Sequence, residues 1–330
     1  MTGYRISLWL ALLLAIAVLI SLASGPLPLT PTDLLNAAFG RGSAETTTIL
    51  FDVRLPRTVA AALAGLALGA SGAAMQGLLR NPLAEPGVMG VSASAALAAT
   101  CCVYFGLATV SPLLVPMASL AGAMAATAIV AGAASRLRGI ASLILIGVAM
   151  SAVAGALMAL LVNLAPNPFS LSDLINWTAG SVANRDWTDS GMALPFIASG
   201  LAVLIAARRS LSALALGEEA AHGLGVDLHR TRLLVIVGTG LATGGAVALA
   251  GMIGFVGLIG PHMVRAAVGY DAGRTIMPSA LAGAALLVVA DFAIRLIPTA
   301  NELHLGTLAA LIGAPLFGLI AMRMGTVRHG

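Results

Sequence analysis

Residues able to do chemistry are scarce in this chain. Their densest group is the stretch Leu214–Arg232, LALGEEAAHGLGVDLHRTR. It holds two adjacent carboxylates, Glu218 and Glu219, the histidines His222 and His229, the arginines Arg230 and Arg232, and a Gly-Leu-Gly break ending at Gly225. On both sides the sequence is apolar. A chain so poor in charge keeps such a segment where something in water reads it. The pattern predicts a short helix, roughly Gly217 to Gly225, lying on one membrane face and taking force from a soluble partner.

Three further groups stand out. In Arg80-Asn-Pro-Leu-Ala-Glu-Pro86, Pro82 and Pro86 with Asn81 before them force a defined turn. One reading is a rigid re-entry loop; the other places the turn at the inner mouth of a pathway narrowed by Asn81 and Leu83. Between Gly251 and Arg265 a glycine recurs at every third position, followed by Pro261. That is poor material for a long helix and predicts a broken or very short spanning element packed tightly on its neighbours. His262 there is read as a satisfied structural histidine. Finally, Arg54, Arg57 and Arg295 stand on what the orientation below makes the outer side. Guanidinium suits bidentate pairing with a partner's carboxylates. Asp291, one helical turn before Arg295, offers that arginine an internal alternative.

Composition excludes several classes of function. The chain has 330 residues, 59% hydrophobic and 9% charged, with a mean hydropathy of +1.00 and a formal net charge of +4. These values place it among polytopic membrane proteins. All 17 basic residues are arginine. A P-loop needs a lysine to reach the β/γ-phosphates, so ATP, if used, is bound by another polypeptide. The neighbouring Cys101 and Cys102 form neither a disulfide framework nor a metal site. No carboxylate pair placed for acid–base work, no HExxH and no nucleophile with a nearby base is present, which sets a membrane enzyme aside. His222, His229, His262 and His304 do not make a haem site, because two belong to the polar interval and none holds a clear mid-membrane position.

An apolar stretch of about 20 residues crosses a bilayer as a helix. On that rule the chain is all-α, with about ten spans near 6–24, 57–78, 88–107, 112–134, 140–164, 190–208, 232–252, 256–267, 276–297 and 305–323. The first span resembles a signal peptide but is read as an uncleaved helix. Arginine placement gives the orientation. With both termini inside, the cytoplasm receives Arg5, Arg80, Arg136, Arg138, Arg208, Arg209, Arg230, Arg232, Arg265, Arg274, Arg323 and Arg328, and the outside only Arg41, Arg54, Arg57, Arg185 and Arg295. Leu214–Arg232 is then cytoplasmic. The outer loop Pro166–Ser190 carries Trp177 and Trp187, suited to the interface, and is expected to hold a short surface helix. Gly65, Gly69 and Gly72, and Gly240 with Gly244, are small-residue faces for close helix packing.

RLPR (Arg54–Arg57), GASGAAMQGLLRNPLAEPGVMGVS (Gly69–Ser92), LGEEAAHGLGVDLHRTR (Leu216–Arg232), AGMIGFVGLIGPHMVR (Ala250–Arg265) and ELHLGTLAALIGAPLF (Glu302–Phe317) resemble, in order and over nearly the whole chain, the permease subunits of ABC importers for iron-siderophores, haem and cobalamin. His304 stands where that family commonly has proline, so the turn before the last span is expected to differ. The resemblance implies the type II importer architecture: a single permease domain over 1–330, paired with a second copy of itself. It implies two ATPase subunits below, which bind ATP and Mg, and a periplasmic binding protein above. It makes 214–232 the coupling segment, with Gly217, Glu218, Glu219, His222, Leu224 and Gly225 facing the ATPase. It makes Arg54, Arg57 and Arg295 the docking residues for the binding protein, and Asn81 and Leu83 the inner gate.

The leading expectation is therefore a non-enzymatic, multi-pass subunit of a bacterial inner membrane. It binds no cofactor and no nucleic acid itself, and moves a ferric siderophore, or haem or cobalamin, into the cytoplasm. The alternative is a carrier driven by protons or sodium. Carriers keep ionisable groups inside the membrane, and here Asp291 is the clearest candidate.

Overall fold

The computed structural model describes residues 3–25, 27, 29–137, 139–165, 168–297 and 303–326. Arg138, Pro166, Glu302 and Arg328, named above, lie outside them. Among the described residues there is no strand. In chain order the α-helices are α1 Gly3–Ala23, α2 Pro31–Ala38, α3 Ala44–Thr48, α4 Leu55–Leu79, α5 Val91–Tyr104, α6 Leu114–Arg136, α7 Ile140–Asn163, α8 Pro168–Ala179, α9 Trp187–Leu214, α10 Glu218–Gly223, α11 Leu228–Ala250, α12 Val256–Arg265, α13 Ala272–Leu296 and α14 Leu305–Thr326. Each of the ten expected spans falls on one of them. Seven helices are long and apolar enough to cross a membrane: α1, α6, α7, α9, α11, α13, and α4 together with the turns leading into it. α5 and α12 are shorter. A short helix, α8, forms in the 166–190 loop where one was expected, and Trp187 donates from its indole nitrogen to the Phe51 carbonyl at 2.9 Å.

Local chemistry explains the helix ends. Asp186, Asp227 and Asp271 each cap the helix that follows by accepting a backbone N–H three residues on, opening α9, α11 and α13. Gly251, in the left-handed region at φ +68°, ends α11. The four residues after it are irregular and α12 runs for only 10 residues, as the recurring glycines predict.

α4 is the hub, packed by α9, α11, α12 and α13. Its glycines make this possible. A methyl group at Gly65 would fall 2.3 Å from the Gly283 carbonyl oxygen, one at Gly69 2.1 Å from that of Ser279, and one at Gly72 1.8 Å from that of Gly257. α4 thus lies backbone to backbone against α13 and α12, which dispersion rewards when no large side chain intervenes. Gly240 and Gly244 let the Thr127 and Ala123 side chains of α6 press against the α11 backbone. By contrast α7 exposes Leu145, Val148 and Val153, apolar surface that suits lipid or a partner rather than water.

Candidate functional site

The polar interval folds as expected in kind, with a shorter helix. α10 covers six residues and is bounded by Gly217 at φ +112° and Gly225 at φ +81°, conformations that favour glycine and turn the chain sharply at both ends. Ala221 is fully buried against the body, and its carbonyl accepts from the Val226 N–H at 3.0 Å. Leu216 and Leu224 are 69% and 65% exposed, and Glu219 and His222 are exposed beside them. Two bare leucines flanking a carboxylate on an otherwise anchored helix make a compact surface for another protein. The two glutamates part company here. Glu218 turns inward and pairs with Arg232 of α11 at 3.1 Å, while Glu219 points to water. His222, Gly225 and His229 also line a cleft of about 420 Å³ between α10 and the start of α11.

At the turn expected to form the inner mouth, α4 ends with Arg80 at φ +49°, a left-handed position unusual for a side chain of that size. Asn81 Oδ1 accepts from the Leu83 N–H at 2.9 Å, so the two expected gate residues are joined in one Asx turn. Sequence reasoning missed what braces this turn. Glu85 accepts from the Phe255 N–H at 3.0 Å, placing a carboxylate on the first free donor of α12. Burial pushes the Glu85 carboxyl above its ordinary range, and the Phe255 hydrogen bond opposes that shift. At the far end of α12, Arg265 donates to Gln76 of α4, and Gln76 donates to the Gly257 carbonyl at 3.3 Å. α12 is therefore held at both ends to the segment that carries Asn81. The clue in the sequence was a lone glutamate between apolar residues and Pro86. His262 departs from its expectation: it is exposed, because the short α12 turns that face outward.

Arg54, Arg57 and Arg295, expected to dock a binding protein on the outer side, all have partners within the chain. Arg57 forks onto Asp291, with Nε to Oδ1 at 2.9 Å and to Oδ2 at 3.2 Å, and Nη2 to Oδ1 at 2.7 Å. Arg295 lies against the same carboxylate, Nε to Oδ2 at 3.2 Å, an ion pair by distance whose Nε–H is not aligned for a hydrogen bond. Arg295 also donates to the carbonyls of Ser21 at 3.2 Å and Ser24 at 3.4 Å. Arg54 is buried and donates to the carbonyls of Leu22 at 2.7 Å, Ala23 at 3.1 Å and Leu27. The physical reason is the C-terminus of α1. Its last carbonyls lack helical partners, and two guanidiniums satisfy them where the macrodipole is negative. Asp291 then neutralises part of the charge so gathered, and the internal alternative for Arg295 is the one realised.

The FecCD transport family model matches residues 13–323 of the chain. An uncharacterized ABC transporter permease protein of Bacillus subtilis (strain 168), YvrB, is 37% identical over 324 residues, covering 94% of this chain and 91% of that protein. The vitamin B12 import system permease protein BtuC of Salmonella typhimurium is 38% identical over 309 residues, covering 93% and 92%. A solved chain assigned to the metal-chelate type of ABC transporters, in an inward-facing conformation, superposes with a TM-score of 0.87 at 31% identity, covering 97% of this chain and 99% of that one.

Proposed function

The chain belongs to the FecCD transport family, and on that premise we propose that this multi-pass ABC transporter permease works as a homodimer in a bacterial inner membrane, passing a bulky metal chelate to the cytoplasm. The family works with ATPase subunits and a binding protein, and ATP hydrolysis lies with the former. A ferric siderophore, haem or cobalamin is the proposed cargo, met outside by the binding protein. Against the ion-gradient alternative stands the pairing of its clearest candidate, Asp291, with two arginines.

The observation that carries the coupling role is α10 itself, exposed at Leu216, Glu219, His222 and Leu224 yet rooted by Ala221 and by the Glu218–Arg232 pair. A push on its outer side reaches α9 through Ala221 and α11 through Arg232. α9 and α11 both pack on α4, whose end carries the Asn81–Leu83 turn. Movement of the two ATPase subunits would thus tilt the helices around α4 and open the inner gate as one body. On the outer face, acidic residues of the binding protein would reach Arg57 by taking the place of Asp291.

The test uses the permease reconstituted with its ATPase and binding protein. Replacing Glu218 and Glu219 by alanine is expected to abolish transport and transport-stimulated hydrolysis while the complex still assembles. Unchanged rates would remove these residues from the coupling path. Cargo identity is read from the spectrum and mass of the ligand that co-purifies with the binding protein.

A further inference from the structure

A cavity of about 330 Å³ opens at the cytoplasmic end of α4, with Gln76, Arg80, Asn81, Arg265, Tyr270 and Thr275 in its wall. We propose that this cavity is a binding site for a phosphate group, beside the Asn81 turn and apart from the exposed face of α10.

Charge points that way first. Two guanidiniums line the cavity and no carboxylate does. The nearest acid in sequence, Asp271, is already occupied: it caps α13, accepts from Ser212 Oγ at 2.6 Å and pairs with Arg274 at 3.5 Å. The donors are also unspent. Among the described residues the Arg80 side chain has no hydrogen bond or ion pair. Arg265 reaches Gln76 through Nη2, while its Nε is buried without a hydrogen-bond partner. An unpaired buried N–H costs free energy that an anion would recover. Guanidinium forks match phosphate oxygens, and the Asn81 amide and the Tyr270 hydroxyl can add neutral donors.

Backbone strain is the second, independent observation. Among the described residues four non-glycine positions have positive φ, and two of them, Arg80 at +49° and Tyr270 at +60°, both line this one cavity. Side chains held in the left-handed region concentrate where a ligand is clamped. A glycine would close α4 without strain, whereas arginine there puts a guanidinium in the cavity wall. A phosphate held by both arginines would tie the gate-bearing turn after α4 to the end of α12.

The cavity lies at the ends of α4 and α12 and the start of α13, the end that the arginine distribution assigns to the inner leaflet. The phosphate can therefore belong to an anionic lipid or to a free solute, and the experiment separates the two. The permease–ATPase complex is placed in nanodiscs of phosphatidylcholine, with or without phosphatidylglycerol. Lipid retention is read by native mass spectrometry, and binding of inorganic phosphate by calorimetry in the phosphatidylcholine discs. Arg80→Gly and Arg265→Gln are each compared with wild type. Arg80→Gly removes the guanidinium while relieving the left-handed strain, so it is expected to melt no lower than wild type. Loss of one charged contact is expected to weaken binding by about tenfold or more. Selective retention of phosphatidylglycerol, lost in both variants, identifies a headgroup site. Phosphate heat in the wild type that both variants lose identifies a solute site. No selectivity and no heat in the wild type, or binding that survives both substitutions, overturns the proposal.

Discussion

Replacing Asp291 with alanine is the sharpest perturbation the structure offers. Its side chain is 2% exposed and lies 2.7 Å from Arg57 and 3.2 Å from Arg295, whose side chains are 14% and 8% exposed. Deleting the carboxylate leaves two guanidiniums facing each other in a low-dielectric interior. Removing one partner of a buried charge group costs about 3–5 kcal/mol, chiefly because the remaining charge is uncompensated. The comparison that isolates charge from lost volume is the double variant Arg57→Met/Asp291→Leu. One cation and the anion then leave together, and Arg295 keeps its acceptors on Ser21 and Ser24. Most of the loss is expected to return, as apolar replacement of buried ion pairs is close to neutral. The assay is unfolding of the purified permease by detergent titration, followed by tryptophan fluorescence. A shift below about 1 kcal/mol for Asp291→Ala would show that water already reaches the arginines. A double variant as unstable as the single would show that packing, not charge, carries the cost. If binding-protein carboxylates exchange with Asp291, the stable double variant also loses the hydrolysis that the binding protein stimulates.

Two further outcomes follow from particular distances. Gly72→Ala puts a methyl group 1.8 Å from a backbone oxygen that cannot swing aside, and is expected to cost at least about 1–3 kcal/mol. Gly132→Ala in α6 meets nothing within 4 Å and is expected to gain roughly 0.5–1 kcal/mol, and thermal unfolding of the pair checks both. Glu85 tests the brace on the inner turn. Burial holds its carboxyl above the ordinary carboxylate value, so the folded state binds its proton more tightly than the unfolded chain does. Stability from this group is greatest below that value and falls as pH climbs through the raised folded pKa. Glu85→Gln keeps an oxygen for the Phe255 N–H and cannot ionise. It should unfold above wild type at neutral pH and lose this step in the stability–pH profile. A melting profile that still falls over the same range would assign the step elsewhere.

Much of this molecule was legible from local chemistry. Apolar runs long enough to span and recurring glycines are short-range signals, so the long apolar helices and the brevity of α12 could be read directly. The Asn81–Leu83 turn was legible for the same reason, since an Asx turn involves residues two apart. The fate of each charge was not. Arg57 and Asp291 are 234 positions apart, and only the packing of α1, α4 and α13 at one end of the bundle turns three arginines from a surface into an interior cap. Glu218 and Glu219 are neighbours of identical type, yet only the position of Arg232 decides which turns inward. Glu85 meets Phe255 across 170 positions for the same reason. The sequence by itself determined an all-helical membrane permease and where its polar interval lies, because hydrophobicity and capping act over a few residues. Which charges face a partner and which hold the fold together was decided by tertiary structure alone, because a counter-charge acts through space and has no fixed distance along the chain.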